Sequence, residues 1–268
     1  MSRAALNVAI QAARKAGSLI LQYRRQMESI PVEKKARHDY VTEVDRQAER
    51  TIIAEIRRHH PDHAFLGEEE GRKGDGDYLW IIDPLDGTSN YLHGIPHYAV
   101  SIALAVKGQL EVGVIYDPIR DELYTAMRGE GAFLNSVRIR VSQRLGLDGA
   151  LLATGFPFRK RRLIEPYFGM FRDLFDQVED IRRAGTASLD LAWVAAGRLD
   201  GFWELGLKPW DVAAGGLLVG EAGGVVQDIT GGDGWLKTGH IVAAPFKLVA
   251  GMRRAIDPHV TAGLGNRK

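Results

Sequence analysis

The chain contains no cysteine. This absence excludes disulfide bonds, thiolate metal ligands and a cysteine nucleophile, and it is typical of proteins that work in the reducing cytoplasm. Long apolar runs are also missing, because Gln11, Arg14 and Lys15 interrupt the partly apolar residues 4–23. A signal peptide or a membrane helix, which needs about 20 apolar residues in a row, is therefore not expected, nor is a membrane partner.

The sequence also lacks a strong charge of one sign. Its 35 Lys and Arg residues balance 34 Asp and Glu residues, for a formal net charge of +1. No general attraction to nucleic acids or membranes follows from this balance. With 268 residues and 45% hydrophobic content, the chain has the composition of an ordinary globular protein. It is long enough for one large domain or two tightly packed halves.

The segment from Tyr78 to Asn90 carries the clearest chemical pattern. A continuous apolar run predicts a buried strand that ends in Asp83 and Asp86, beside a proline and a glycine that predict a tight turn. Carboxylates at a strand end, next to backbone N–H groups, suit a hard cation bound together with an anion. A turn in which each Asp only bonds the backbone explains the same residues, so both interpretations stay open.

Three further acids have weaker individual cases. Glu68 follows a short predicted strand, Asp211 is expected at the N-cap of a helix, and Asp45 follows Thr42 at capping-box spacing. A solvated acidic loop or a helix cap accounts for each of them alone. If the element ends converge, four acids form an all-oxygen site of the kind that Mg²⁺ prefers: Glu68, Asp83, Asp86 and Asp211.

The residue patterns change near Gly146. Residues 1–145 predict an N-terminal α+β half with a helix pair and an antiparallel sheet, and residues 146–268 predict an α/β half. Residues 34–42 are expected to form a basic loop, and residues 137–141 a strand. The segment from Gly185 to Ser188 predicts a helix start, which either binds an anion or is simply capped.

Three separated motifs occur in one order: GEE at residues 67–69, DPLDGT at 83–88 and WDVAAG at 210–215. Together with VTxxD at 41–45 and GTA at 185–187, this arrangement resembles that of the inositol monophosphatase family. The similarity extends over nearly the whole chain, and ATGFPF at 153–158 is similar to the bacterial SuhB-type branch. Ser89 departs from the family pattern, in which threonine is frequent.

The resemblance implies a layered α-β-α-β-α sandwich, a homodimer, sensitivity to lithium and two or three Mg²⁺ ions per active site. The implied metal ligands are Glu68, Asp83, the carbonyl of Leu85, Asp86 and Asp211. Asp45 and Thr88 would orient the attacking water, with Glu68 and Asp83 as further catalytic residues. The implied substrate-binding residues are Asp86, Gly87, Thr88, Gly185, Thr186, Ala187, Glu204 and Asp211.

The implied reaction is hydrolysis of a phosphate monoester, with inositol 1-phosphate as the leading substrate. Metal ions about 4 Å apart would activate the water and stabilise the leaving oxygen. Relatives with the same metal motifs act on fructose 1,6-bisphosphate, histidinol phosphate or nucleotide 3′-phosphates, and the pocket around Ala187 and Glu204 would decide among these.

A non-catalytic alternative also follows from the SuhB-type resemblance, which implies a cytoplasmic partner of RNA polymerase in transcription antitermination. Basic clusters at Arg57-Arg58, residues 159–162 and Arg182-Arg183 offer a contact surface for such a partner. A solvated face or ion pairs at a dimer edge explain the same clusters.

Overall fold

The protein is described from a computed structural model that covers residues 2–25, 32–36, 39–158, 160–261 and 264. Its helices are α1 (Ser2–Arg24), α2 (Glu43–His59), α3 (Thr88–Leu92), α4 (Ile164–Phe175), α5 (Ala187–Ala195), α6 (Pro209–Glu221), α7 (Trp235–Thr238) and α8 (Phe246–Ile256). Within these ranges, no helix is both long and apolar enough to cross a membrane.

The strands form a two-stranded ribbon and two larger sheets. In chain order they are β1 (Val32–Ala36), β2 (Asp39–Thr42), β3 (Ala64–Gly67), β4 (Gly71–Lys73), β5 (Tyr78–Asp86), β6 (Ala99–Val106), β7 (Gln109–Asp117), β8 (Glu122–Met127), β9 (Gly131–Leu134), β10 (Val137–Arg138), β11 (Leu151–Thr154), β12 (Asp180–Arg182), β13 (Gly201–Glu204), β14 (Val225–Asp228) and β15 (Ile241–Ala244).

The larger sheet has the order β10-β9-β8-β7-β6-β5-β3-β4, and only β3 and β5 run parallel in it. Successive side chains along each strand point to opposite faces of the sheet, as a pleated sheet requires. On β5, Trp80 and Ile82 pack with α1 and α2, whereas Ile81 packs with α5 and α6. Both faces are thus covered by helices, which explains the continuous apolar run of β5.

The smaller sheet has the order β12-β11-β13-β15-β14. Helices α5 and α6 fill the space between the two sheets, and α4 and α8 pack on the outer face of the smaller one. The layers are therefore the α1/α2 pair, the larger sheet, the α5/α6 pair, the smaller sheet and the α4/α8 pair. The predicted α-β-α-β-α sandwich is confirmed, while the division into 1–145 and 146–268 stays a prediction.

Local predictions fail mainly in short strands. Residues 34–42 are not a loop, because β1 and β2 pair antiparallel from Val32↔Thr42 inward. In the predicted strand 137–141 only Val137–Arg138 pairs, and β4, β9 and β11 were not predicted. Such elements depend on hydrogen bonds to distant neighbours, which a pattern of a few residues does not encode.

Candidate active site

A β-bulge brings two of the acids to the same face of the larger sheet. Asp83 pairs with Ser101 of β6, and Asp86 pairs with Ala99. Between these two pairs the chain advances three residues on β5 but two residues on β6. In a regular strand, residues three apart point to opposite faces, and the extra residue of the bulge cancels this alternation. Asp83 and Asp86 therefore both point toward α5 and α6.

Asp211 approaches these acids from the first turn of α6. One carboxylate oxygen from each of Asp83, Asp86 and Asp211 lies within 4.8 Å of the other two. The predicted N-cap role of Asp211 is wrong, because Lys208 holds the N-cap position. Asp211 lies three residues later, and its Oδ2 accepts the Lys208 backbone N–H at 2.7 Å. This bond holds the carboxylate in place beside β5.

The electrostatics of this cluster favour a bound cation. Asp83 is buried, and burial together with the charges of the neighbouring acids raises its pKa well above the ordinary range. The acids that raise it are Glu68, Asp86 and Asp211. Carboxylates held this close repel one another unless positive charge or protons offset them, and oxygen donors of this kind fit Mg²⁺.

Glu68 reaches the cluster from the turn after β3. The turn is held by Glu49, a fully buried residue of α2 whose carboxylate accepts the backbone N–H groups of Glu69 (2.9 Å) and Glu70 (2.8 Å). A side chain at Gly67 would lie 2.4 Å from that carboxylate, so glycine is required there. Glu68 is the acid of this turn that lines the cavity next to Asp83.

Thr88 and Asp45 form a direct pair. The Thr88 hydroxyl lies 2.9 Å from Asp45 Oδ1 and 3.0 Å from the carbonyl oxygen of Leu85. Asp45 is buried in the first turn of α2. The side chain of its predicted capping partner, Thr42, lies outside the described residues.

The start of α5 contacts the turn after β5. Asp86 Oδ2 accepts the backbone N–H of Ser188 at 2.7 Å, so Asp86 caps a helix from another layer. Thr186 occupies the N-cap position, but its hydroxyl donates to the His97 carbonyl at 3.0 Å instead of capping α5. Thr186 thus lies directly beside Gly87, where a Cβ would be 2.6 Å from its Oγ1.

A cavity of about 330 Å³ lies above these residues. Of the predicted site residues, Asp45 and Thr186 lie behind its wall. Those that line it are Glu68, Asp83, Leu85, Asp86, Gly87, Thr88, Gly185, Ala187, Glu204 and Asp211. Its wall also includes two cations and two phenylalanines that the sequence did not single out as substrate-binding: Lys160, Arg183, Phe156 and Phe158.

The chain is similar to known proteins over nearly its whole length. Residues 2–261 match the model of the inositol monophosphatase family. The chain belongs to that family. It is 55% identical over 265 residues to Nus factor SuhB of Pseudomonas aeruginosa, covering 97% of this chain and 98% of the relative.

Solved structures of family members have the same fold. The SuhB structure from Bartonella henselae superposes with a TM-score of 0.93 and 45% identity, covering 96% of this chain and 100% of the other. The inositol monophosphatase from Anabaena gives a TM-score of 0.86 and 40% identity, with 96% of each chain covered.

Two residues that support this family site were missed by the sequence reasoning, namely Glu49 and Asn90. Glu49 lies on the buried face of α2, four residues after Asp45. A glutamate on an apolar helix face is a usable signal, since buried charges are almost always paired or hydrogen-bonded. Asn90 had no such signal, because its partners are distant in sequence.

Proposed function

We propose that the protein hydrolyses phosphate monoesters of polyols in the presence of Mg²⁺, with inositol 1-phosphate as the leading substrate. The observation that carries this proposal is the approach of Asp83, Asp86 and Asp211 within 4.8 Å of one another beneath an open cavity. Three carboxylates would repel a substrate that is itself a dianion. Such a substrate binds here only if cations lie between it and the carboxylates.

Two or three Mg²⁺ ions would be held by Glu68, Asp83, the carbonyl of Leu85, Asp86 and Asp211. When bound, Mg²⁺ supplies the positive charge that lowers the pKa of a water molecule and neutralises charge on the phosphoryl oxygens. The donor set is composed of oxygen atoms alone, which suits Mg²⁺ better than zinc.

The Thr88–Asp45 pair would hold the attacking water. The hydroxyl proton of Thr88 is directed at Asp45 and at the Leu85 carbonyl, so the lone pairs of Thr88 Oγ1 are directed away from those two acceptors. Such an oxygen accepts a hydrogen bond from water and so orients the water for attack. The backbone N–H groups of Gly87 and Thr88 would donate to the phosphate.

The alcohol part of the substrate would bind at the other end of the cavity. Glu204 lines this end, and its carboxylate packs so closely on Gly155 that a side chain there would lie 2.3 Å away. Asp190 of α5 is buried, and burial first and the charge of Glu204 second raise its pKa well above the ordinary range. Glu204 accepts hydrogen bonds from hydroxyl groups, whereas Lys160 and Arg183 of the same cavity suit an anion. We keep inositol monophosphate ahead of fructose 1,6-bisphosphate because the chain belongs to the inositol monophosphatase family.

The deciding experiment is phosphate release from inositol 1-phosphate, with and without Mg²⁺ and Li⁺, beside an Asp86→Asn variant. We expect release that requires Mg²⁺, falls with Li⁺ and decreases in the variant by at least about 10²–10³-fold. Exposed Asp148, changed to Asn, controls for loss of one negative charge. No release from this or any related monoester would refute the enzymatic proposal.

We further propose that the protein forms a homodimer through an aromatic face. Phe156, Phe168 and Phe175 are 39%, 53% and 55% exposed, and ring contacts through Tyr167 and Phe171 connect them. Apolar patches of this kind mark protein interfaces. Light scattering should give the dimer mass for the wild type and the monomer mass for Phe168→Glu; a monomeric wild type would refute the proposal.

A second candidate function, partnership with RNA polymerase in antitermination in the cytoplasm, is favoured by relatives that carry the name Nus factor SuhB. The basic clusters give this second function little support. Arg57 packs over the Phe65 ring, Arg58 pairs with Glu55, and Arg182 pairs with Asp180; Arg159 lies outside the described residues. An Asp83→Asn variant should lose phosphatase activity and keep polymerase binding if the two roles are separate.

A further inference from the structure

Asn90 connects two parts of the site that belong to different layers. It lies in α3, directly after the turn at Gly87, and its Nδ2 is 2.9 Å from the carbonyl oxygen of His97. The same nitrogen is 2.9 Å from the carbonyl oxygen of Ala184 and 3.4 Å from Thr186 Oγ1. One amide group thus joins the loop before β6 to the segment that leads into α5.

The two segments also pack closely against each other at this point. Gly87 has a φ of 97°, and a Cβ there would lie 2.6 Å from Thr186 Oγ1 and 3.0 Å from the His97 carbonyl oxygen. Thr186 also donates to that carbonyl at 3.0 Å. The phosphate end of the cavity and the start of α5 therefore touch at the point where Asn90 bonds both.

We propose that Asn90 is a positioning residue that sets the place of Gly185–Ala187 relative to Gly87 and Thr88. This inference rests on the proposed phosphatase function, because it concerns how the alcohol part is aligned with the phosphate. The amide has two N–H hydrogens, one for each carbonyl at 2.9 Å, and a hydroxyl or carboxylate cannot replace both. Asn90 also lines the cavity, but the N–H groups of its amide are directed at backbone carbonyls, so it acts through Ala184 and Thr186 and not on the reacting atoms.

Cation binding should depend on Asn90 less than the alcohol end does, although Asp86 also accepts the Ser188 N–H at the start of α5. The bulge of β5 holds Asp83 and Asp86, and the first turn of α6 holds Asp211. None of the three protein atoms that Asn90 Nδ2 contacts belongs to these acids. A loss that is confined to the alcohol end therefore separates positioning from a general structural role.

The test compares two substrates in Asn90→Ala. Inositol 1-phosphate uses the alcohol end, whereas p-nitrophenyl phosphate has an aromatic leaving group without hydroxyls. We expect kcat/KM for inositol 1-phosphate to fall about 10–100-fold, the cost of a misplaced reactant, while the value for p-nitrophenyl phosphate and the Mn²⁺ affinity measured by calorimetry stay nearly unchanged. Asn90→Asp should lose more activity toward inositol 1-phosphate than Asn90→Ala, because its carboxylate would face two carbonyl oxygens.

The matched control is Asn135→Ala. Asn135 also makes two amide hydrogen bonds, to Leu123 N–H (2.9 Å) and the Asp121 carbonyl (3.1 Å), in a turn between β9 and β10. The Asn135→Ala variant should be less stable than the wild type, but its ratio of kcat/KM values for the two substrates should be unchanged. If Asn90→Ala does not fold, Thr186→Val removes the neighbouring donor and should shift the ratio in the same direction.

The outcomes separate the two proposals. A wild type that hydrolyses neither substrate refutes the phosphatase function and this inference with it. If the wild type is active, any of three results refutes the positioning role alone. Asn90→Ala loses activity toward both substrates equally, Asn90→Ala keeps its activity toward both, or Asn90→Asp loses less activity than Asn90→Ala.

Discussion

The hydroxyl of Thr88 has more than one acceptor within reach. It lies 2.9 Å from the buried carboxylate of Asp45 and 3.0 Å from the Leu85 carbonyl. A single proton shared between these acceptors fixes the orientation of the oxygen. The family resemblance implied that both residues orient a water, but it did not predict that they bond each other directly.

We expect Thr88→Val to lower kcat for inositol 1-phosphate by about 10²–10³-fold with a small change in KM, because the oxygen that accepts the water's hydrogen bond is lost while the shape is kept. Thr88→Ser keeps the hydroxyl and should retain most of the activity. Steady-state kinetics of both variants decide the point, and similar losses in both would argue against the hydroxyl.

His97 should make stability depend on pH. It is buried, and burial, reinforced by the charge of Arg120, lowers its pKa from 6.5 to about 4. Above pH 6.5 both folded and unfolded chains are neutral at this residue. Between pH 6.5 and 4 only the unfolded chain takes up the proton, so stability falls by about 1.4 kcal/mol per pH unit, about 3 kcal/mol in all.

The measurement is urea unfolding of wild type and His97→Phe from pH 7 to pH 4. Other groups titrate in both proteins, and the difference between the two isolates His97. The wild type should lose about 3 kcal/mol more than the variant over this range. Parallel pH profiles would contradict the prediction.

At the scale of elements, the bulge in β5 shows what sequence could and could not provide. The apolar run, the proline and the two acids were sufficient to predict a strand that ends in a turn with Asp83 and Asp86. The extra residue that turns both carboxylates to one side is defined only against β6, through Ser101 and Ala99. Pairing across strands is therefore the information that was missing.

The turn that carries Glu68 should depend on Glu49. In Glu49→Ala, the N–H groups of Glu69 and Glu70 lose their buried acceptor, so the turn shifts. We expect the Mg²⁺ concentration that gives half-maximal activity to rise about 10–100-fold, as for other residues that orient metal ligands.

The control is Glu55→Ala on the same helix. Glu55 is also buried and pairs with Lys15 of α1 (2.5 Å) and with Arg58 (2.7 Å). It should cost stability without changing the Mg²⁺ dependence. Equal Mg²⁺ dependence in both variants would show that Glu49 does not position Glu68.

At the scale of the whole molecule, α6 is the element that brings the two sheets to one site. It packs against the larger sheet so closely that a Cβ on Gly113 of β7 would lie 3.0 Å from the Ala214 carbonyl oxygen. Its first turn carries Asp211 to the acids of β5. The five layers were anticipated only through the family resemblance, because periodicity shows which face of an element is buried but not what covers it.

We expect Gly113→Val to push α6 away from the larger sheet. The overpacking should cost about 1–3 kcal/mol in unfolding free energy and should lower phosphatase activity, since Asp211 moves with the helix. Gly220→Ala, at the open end of α6, has no atom within 4 Å and should leave activity unchanged. Urea unfolding and phosphate release would measure both effects; full activity in Gly113→Val would show that Asp211 tolerates the shift.

The late position of α6 also has a consequence for synthesis on the ribosome. Asp211 is made 125 residues after Asp86 (211 minus 86), about 6–25 s later at usual elongation rates. Until α5 and then α6 are made, the face of the larger sheet that carries Ile81 and Ala103 has no cover from these helices. A nascent chain stopped after residue 145 should therefore bind chaperones, and no concentration of Mg²⁺ can make it active.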